Sequence, residues 1–332
     1  MPEGARRSVS ARALALFSAG LAVVLAAVAF VAYRELLHYE RRAVLHVPAG
    51  AAFGVRVDLE QLVLFEPVRK HLLPLVDQVS FGAGAHMDPE GAPSGRLARL
   101  REEAGLNLGL DLRELVFASL GRGDGWVLAA GGIFPGGDLL ERVARVLASE
   151  PGARVRRQGA LLILGPGELA LARAADGVLL LGSNARAVER ALVPSDAHRA
   201  LGLMQEGAAA LAALPAWLDR GVGGGLGFER VTGRLDFGDP LTLTLELAHT
   251  AAASNPPRRG LERWLRVDTS TFTPAADWGG ERALLARARF AAVSPTLTVV
   301  TTTWQHGELD RACRSLATWL EAATKRPGPG AQ

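Results

Sequence analysis

The chain has 332 residues, 49% of them hydrophobic, and 37 Lys and Arg against 34 Asp and Glu, for a formal net charge of +3. That content excludes a disordered protein and allows one large domain or two smaller ones with real cores. Lys70 and Lys325 are the only lysines, and the arginines are interleaved with acids instead of gathered on one face, which excludes a nucleic-acid footprint.

Residues 1–12 read as a cytoplasmic tail and Ala13 to Tyr33 as a transmembrane helix, because the run is uncharged and has only Ser18 as a polar interruption. At 1.5 Å per residue it spans roughly 30 Å, the hydrocarbon core of a bilayer. A cleaved signal peptide competes: Arg6, Arg7 and Arg12 form a basic start, and Ala27-Val28-Ala29 fits a cleavage site. The apolar run is longer than the roughly 7–15 residues such peptides use, so an uncleaved signal anchor is the better reading. Cys313 is the only cysteine, which excludes lipoprotein processing near the anchor and any intramolecular disulfide. Arg6-Arg7 lacks the continuation of a twin-arginine signal. Arg34, Arg41 and Arg42 nearly balance the basic residues before the span, so charge counting is even. The signal-like tail decides for a bacterial cytoplasmic (inner) membrane protein with its C-terminal domain extracytoplasmic.

Residues 34–47 continue as a charged, helical stalk, broken at Val47-Pro48-Ala49-Gly50. Two α+β halves follow, at 48–193 and 194–324, and then a disordered tail at 325–332. In the first half, Ala51–Val57 reads as a strand and Asp58 as the cap of a helix. Residues 79–95 form a loop. Leu115–Leu120 and Trp126–Phe134 make a hairpin, and a helix runs from about Asp138 to Ala148 with Leu139, Leu140, Val143, Val146 and Leu147 at helical spacing. Four short strands follow, Arg154–Gln158, Ala160–Leu164, Leu169–Arg173 and Val178–Leu181, and Asn184 caps another helix.

The second half repeats this loosely. Ala208–Leu214 is a strand, with a short helix after Pro215. Phe228–Phe237 and Leu241–Ala248 form a hairpin whose second arm alternates leucine with polar residues, giving one core face and one wet face. A helix near Arg259–Arg266, a hairpin of Ala283–Ala292 and Thr296–Trp304, and a helix from Glu308 to about Ala323 complete it. The expected fold is α+β: antiparallel sheets of hairpin–helix units in two similar halves, with helices on one sheet face.

Val47-Pro48-Ala49, Val55-Arg56-Val57-Asp58-Leu59, and Ala174-Ala175-Asp176-Gly177-Val178-Leu179-Leu180-Leu181-Gly182-Ser183 resemble segments of uncharacterised bacterial envelope proteins. So do the terminal hairpin–helix units. The resemblance covers most of the chain after residue 44. It implies one membrane anchor and a repeated α+β ectodomain, and it brings no catalytic residues.

Each chemical motif has a stronger structural reading. Gly221–Gly227 runs into a strand and lacks the lysine of a phosphate loop. Arg122-Gly123-Asp124 sits in a hairpin turn, where Gly-Asp-Gly serves the backbone. His306, Glu308 and Asp310 open a helix, where acids complement the dipole; His86, Asp88 and Glu90 lie in a polar loop. Arg154, Arg156 and Arg157 look like the solvated face of a strand. Cys313 joins Leu309, Leu316 and Leu320 on one helix stripe as a small hydrophobe. His38, His46, His71, His198 and His249 have no metal-ligand spacing, and adjacent Glu102 and Glu103 share no helix face. The expectation is therefore no catalytic residue, cofactor or metal site. The domain reads as a non-catalytic binding or structural module whose partners are the membrane, through residues 13–33, and an envelope protein or an apolar ligand. The alternatives are a carrier or sensor of an apolar ligand, or a hydrolase with dispersed catalytic residues.

Overall fold

The computed structural model describes residues 39–72, 96–107, 111–121, 124–149, 154–165, 169–214, 228–250 and 287–324. The expected span at 13–33, the loop at 79–95, the glycines at 221–227, the helix near 259–266 and the tail lie outside them. Among the described residues no helix is long and apolar enough to cross a membrane.

The architecture is α+β, built on one antiparallel sheet. Its strands are β1 (Phe53–Asp58), β2 (Leu112–Ser119), β3 (Trp126–Gly132), β4 (Val155–Gln158), β5 (Leu161–Leu164), β6 (Leu169–Arg173), β7 (Leu179–Gly182), β8 (Ala209–Ala213), β9 (Phe228–Asp236), β10 (Leu241–His249), β11 (Arg289–Ser294) and β12 (Leu297–Trp304). Helices α1 (Leu59–Leu64), α2 (Glu66–His71), α3 (Arg96–Ala104), α4 (Leu139–Ala148), α5 (Ala185–Leu192), α6 (Ala197–Leu201) and α7 (His306–Thr324) accompany it. The Asp58 side chain accepts from the Gln61 amide and the Asn184 side chain from the Ala187 amide, so α1 and α5 start where capping chemistry predicts.

The strand order is β11-β12-β10-β9-β8-β1-β2-β3-β7-β6-β5-β4. Read outward from the β8/β1 pair, it runs β8-β9-β10-β12-β11 on one side and β1-β2-β3-β7-β6 on the other. In both directions three consecutive strands lie side by side, the last strand of the half returns beside the third, and its predecessor lies beyond. The first half adds β5 and β4 at its outer edge.

Helices cover both faces of the sheet, contrary to the expectation of one. In β7, Leu180 packs with Val44, Val188 and Leu201, while adjacent Leu179 packs with Leu139 and Val143 of α4. Consecutive strand residues point to opposite faces, so these are two separate layers. The 3-10 turn Ala43–His46, α5 and α6 form the first; α3 and α4 lie on the second. The cause is legible in composition: Leu161-Leu162-Ile163-Leu164 and Leu179-Leu180-Leu181 are apolar at successive positions and need cover on both sides. β10 behaves as expected, with Leu245 and Leu247 buried and Glu246 exposed.

The end of the expected stalk is core. Ala43, Val44 and Val47 are 0–1% exposed. Ser195 fastens the segment, its amide donating to the Leu45 carbonyl at 2.8 Å and its hydroxyl to the Val47 carbonyl at 2.5 Å. Charge density suggested a solvated helix, but the apolar Ala43-Val44-Leu45 run forms one short turn against the sheet.

Candidate functional site

The helix α4 has two apolar stripes. Leu139, Val143 and Val146 are buried against α3 and the sheet. Leu140, Ala144 and Ala148 sit four residues apart on a second stripe, facing the β4–β5 hairpin. Between them lies a concavity of about 410 Å³, floored by these residues with Val155, Ala160 and Leu162. Glu141, Arg145 and Arg157 also line it, and Arg157 donates to the Glu141 carboxylate at 3.0 Å. The volume is in the range of small-molecule sites, roughly 300–1,000 Å³. One apolar stripe is enough to hold a helix on a sheet, so the second leaves apolar surface for a ligand.

A cluster of titratable groups lies where α2 meets α7. His71 is 2.8 Å from the Asp310 carboxylate, Lys70 is 3.4 Å from it, and Arg314 donates to its other oxygen at 2.7 Å. The hydrogen bond from His71, more than any other contact, holds the Asp310 carboxyl down to about 2. His306 is 3.5 Å from Glu66 and edge-on to Phe65, which stacks on Phe237. Cys313 follows Asp310 by one turn, and burial pushes its thiol up to about 11, which disfavours the thiolate at neutral pH. The arrangement ties two helices together.

A second polar group is buried in the sheet. Arg56 is 0% exposed; its guanidinium donates to the carbonyls of Leu203 at 2.8 Å, Gln205 at 2.7 Å and Gly207 at 3.2 Å. Burial is the main cause lowering its pKa from the usual arginine range. Glu114 accepts from the Ala43 amide at 3.0 Å. His46 lies 2.5 Å from the Ala191 carbonyl through Nδ1 and 3.0 Å from Asp176 through Nε2. These contacts hold the loop before β8 and the 3-10 turn onto the sheet.

The residues weighed from sequence are dispersed. His306, Glu308 and Asp310 each take a different partner: Glu66, Arg287 and His71. Among the described residues no three His, Cys, Asp or Glu side chains are grouped to hold a metal ion. His86, Asp88, Glu90, His38, Arg122 and Gly123 lie outside the described residues, and Asp124 pairs with Arg190 at 3.6 Å. His198 faces the Ser195 carbonyl at 2.8 Å, and His249 faces Thr298 at 3.1 Å. Glu103 accepts from Arg99 at 2.9 Å. Arg154, Arg156 and Arg157 are all exposed as expected, and Arg157, on the opposite strand face, lines the groove. Sequence reasoning missed the groove by assigning Leu140 to the same core stripe as Leu139. The available signal was an apolar arc on α4 wider than one sheet contact needs.

No family model matches the chain, and no curated protein matches it. Among solved structures, crystal form III of TP0453 aligns with 84% of this chain and 99% of its own at 11% identity and a TM-score of 0.46. Crystal form I of the same protein aligns over 84% and 98% at 12% identity and a TM-score of 0.43.

Proposed function

We propose that this chain is a single-pass protein of the bacterial inner membrane whose exported domain binds another envelope component and performs no chemistry. Residues 13–33 are the span, and the domain lies outside the cytoplasm. The observation that carries the binding reading is the groove beside α4, whose floor is apolar and whose polar rim holds two arginines and one glutamate. The other clusters hold the fold: His71 with Asp310, His46 with Asp176, and Arg56 with backbone carbonyls. The domain descends from a duplicated unit in this reading, supported by the strand order repeating outward from β8/β1.

The test uses the purified full chain in detergent, screened against esterase, peptidase, glycosidase and phosphatase substrates with and without divalent metals. The expected result is no turnover that follows the protein through two columns. Turnover that disappears on changing one polar residue would overturn the reading. A carrier of an apolar small molecule is a second reading that draws on the same groove. Lipid released from the purified chain in stoichiometric amount, with no protein partner recovered, would favour it.

A further inference from the structure

We infer that the groove beside α4 takes an extended peptide strand, acidic at alternate positions and apolar at the others, added to the open edge of β4. This rests on the binding reading above and names the partner's chemistry. Among the described residues β4 is the last strand of the sheet, hydrogen-bonded to β5 on one side only. The Gly165 amide donates to the Arg154 carbonyl at 2.8 Å, which makes Arg154 and Gly165 a hydrogen-bonded pair of the antiparallel ladder. Such pairs alternate, so the backbone groups of Arg156 and Gln158 also face β5. Those of Val155 and Arg157 therefore point to the open edge.

The side chains of Val155 and Arg157 enter the groove, while Arg154 and Arg156 are exposed on the other strand face. A strand laid on this edge would place one set of side chains over Val155, Leu162 and Leu140. Its alternate set would lie beside Arg154 and Arg156. The first position suits apolar groups and the second carboxylates. Arg154 opens the edge and Arg145 faces it from α4, while Glu141, the one acid lining the groove among the described residues, is held by Arg157 at 3.0 Å. Addition to a sheet edge gains main-chain hydrogen bonds, and alternate side chains supply selectivity.

The experiment measures fluorescence anisotropy of a labelled octapeptide alternating glutamate and valine, with the full chain in detergent. The lysine–valine counterpart and phosphatidylglycerol vesicles are parallel probes. Val155→Pro removes one outward amide, keeps an apolar side chain on the groove and leaves the β4/β5 ladder intact. The acidic peptide is expected to bind at least about tenfold more tightly than the basic one, weaken with salt, and lose about tenfold or more with Val155→Pro at an unchanged melting temperature. Arg145→Glu is expected to weaken the acidic peptide and improve the basic one. Equal binding of both peptides, undiminished binding to a folded Val155→Pro chain, or binding of vesicles alone would each overturn the inference. None of these outcomes bears on whether the domain is exported or catalytic, so the broader reading fails or stands separately.

Discussion

Val55 of β1 lies directly across from Leu211 of β8, at the middle of the antiparallel ladder that joins the two halves of the sheet. Everything on either side of that pair follows the same order of strands before the first half adds its outer hairpin. The next residue along, Arg56, is the polar fastening of this seam: it reaches from β1 to the carbonyls just before β8.

Replacing Arg56 with methionine should therefore loosen the seam. The substitution keeps much of the side-chain volume but leaves the carbonyls of Leu203, Gln205 and Gly207 without their donor. A buried polar group without its partner costs about 1–3 kcal/mol, so the expected loss is about 3 kcal/mol or more in urea unfolding. A loss under about 1 kcal/mol would show that Arg56 is replaceable by apolar packing, as buried ions sometimes are.

The domain should need its first residues from Arg41. Val44 and Val47 are 0% and 1% exposed, and each such side chain contributes about 1.5–3 kcal/mol on burial. A chain begun at Pro48 also loses the Glu114 contact with Ala43 and the His46 bridge to Asp176. Its melting temperature is expected to fall by more than about 10 °C relative to a chain begun at Arg41, if it folds at all. Equal melts by circular dichroism would return these residues to a detachable stalk.

Asp310 should make part of the stability acid-sensitive. His71 holds its carboxyl below the ordinary aspartate value of 3.8, at about 2. A carboxyl with a lowered folded value stabilises fully above its unfolded value, and that share is lost as pH falls through the folded one. The window is therefore between about pH 4 and 2. Asp310→Asn should be less stable at neutral pH and show a smaller decline across that window. Parallel stability–pH curves for the two chains would contradict the assignment.

Cys313 should react slowly. Burial raises its thiol from 9.0 to about 11, which lowers the thiolate fraction at about pH 8 by close to a hundredfold. Alkylation by iodoacetamide is expected to be at least about a hundredfold slower in the native chain than in urea. Matching rates would mean that the sulfur is open and activated.

Much of the secondary structure is written locally. Gly125 ahead of β3, the Asn184 cap and the leucine–threonine alternation of β10 each settle their conformation within a few neighbouring residues. What local pattern does not carry is the environment on each strand face. Val55-Arg56-Val57 reads locally as a strand and carries no sign of where Arg56 points; β1 lies mid-sheet and the guanidinium meets the carbonyls of Leu203, Gln205 and Gly207, so Arg56 is inside. The groove is hidden for the same reason: Leu139 and Leu140 are neighbours in a helical repeat, and only their tertiary neighbours, Leu171 and Leu179 for the first and Val155 and Leu162 for the second, separate core from site.

The central claim is that residues 13–33 anchor a domain outside the cytoplasm, and topology reporters at the C-terminus test it most directly. Alkaline phosphatase fused after Gln332 gains activity only outside the cytoplasm, while green fluorescent protein exported unfolded through the general secretion route stays dark. The account predicts an active phosphatase fusion and a dark fluorescent one, both in the membrane fraction and resistant to carbonate extraction. An inactive phosphatase beside a bright fluorescent fusion would contradict it.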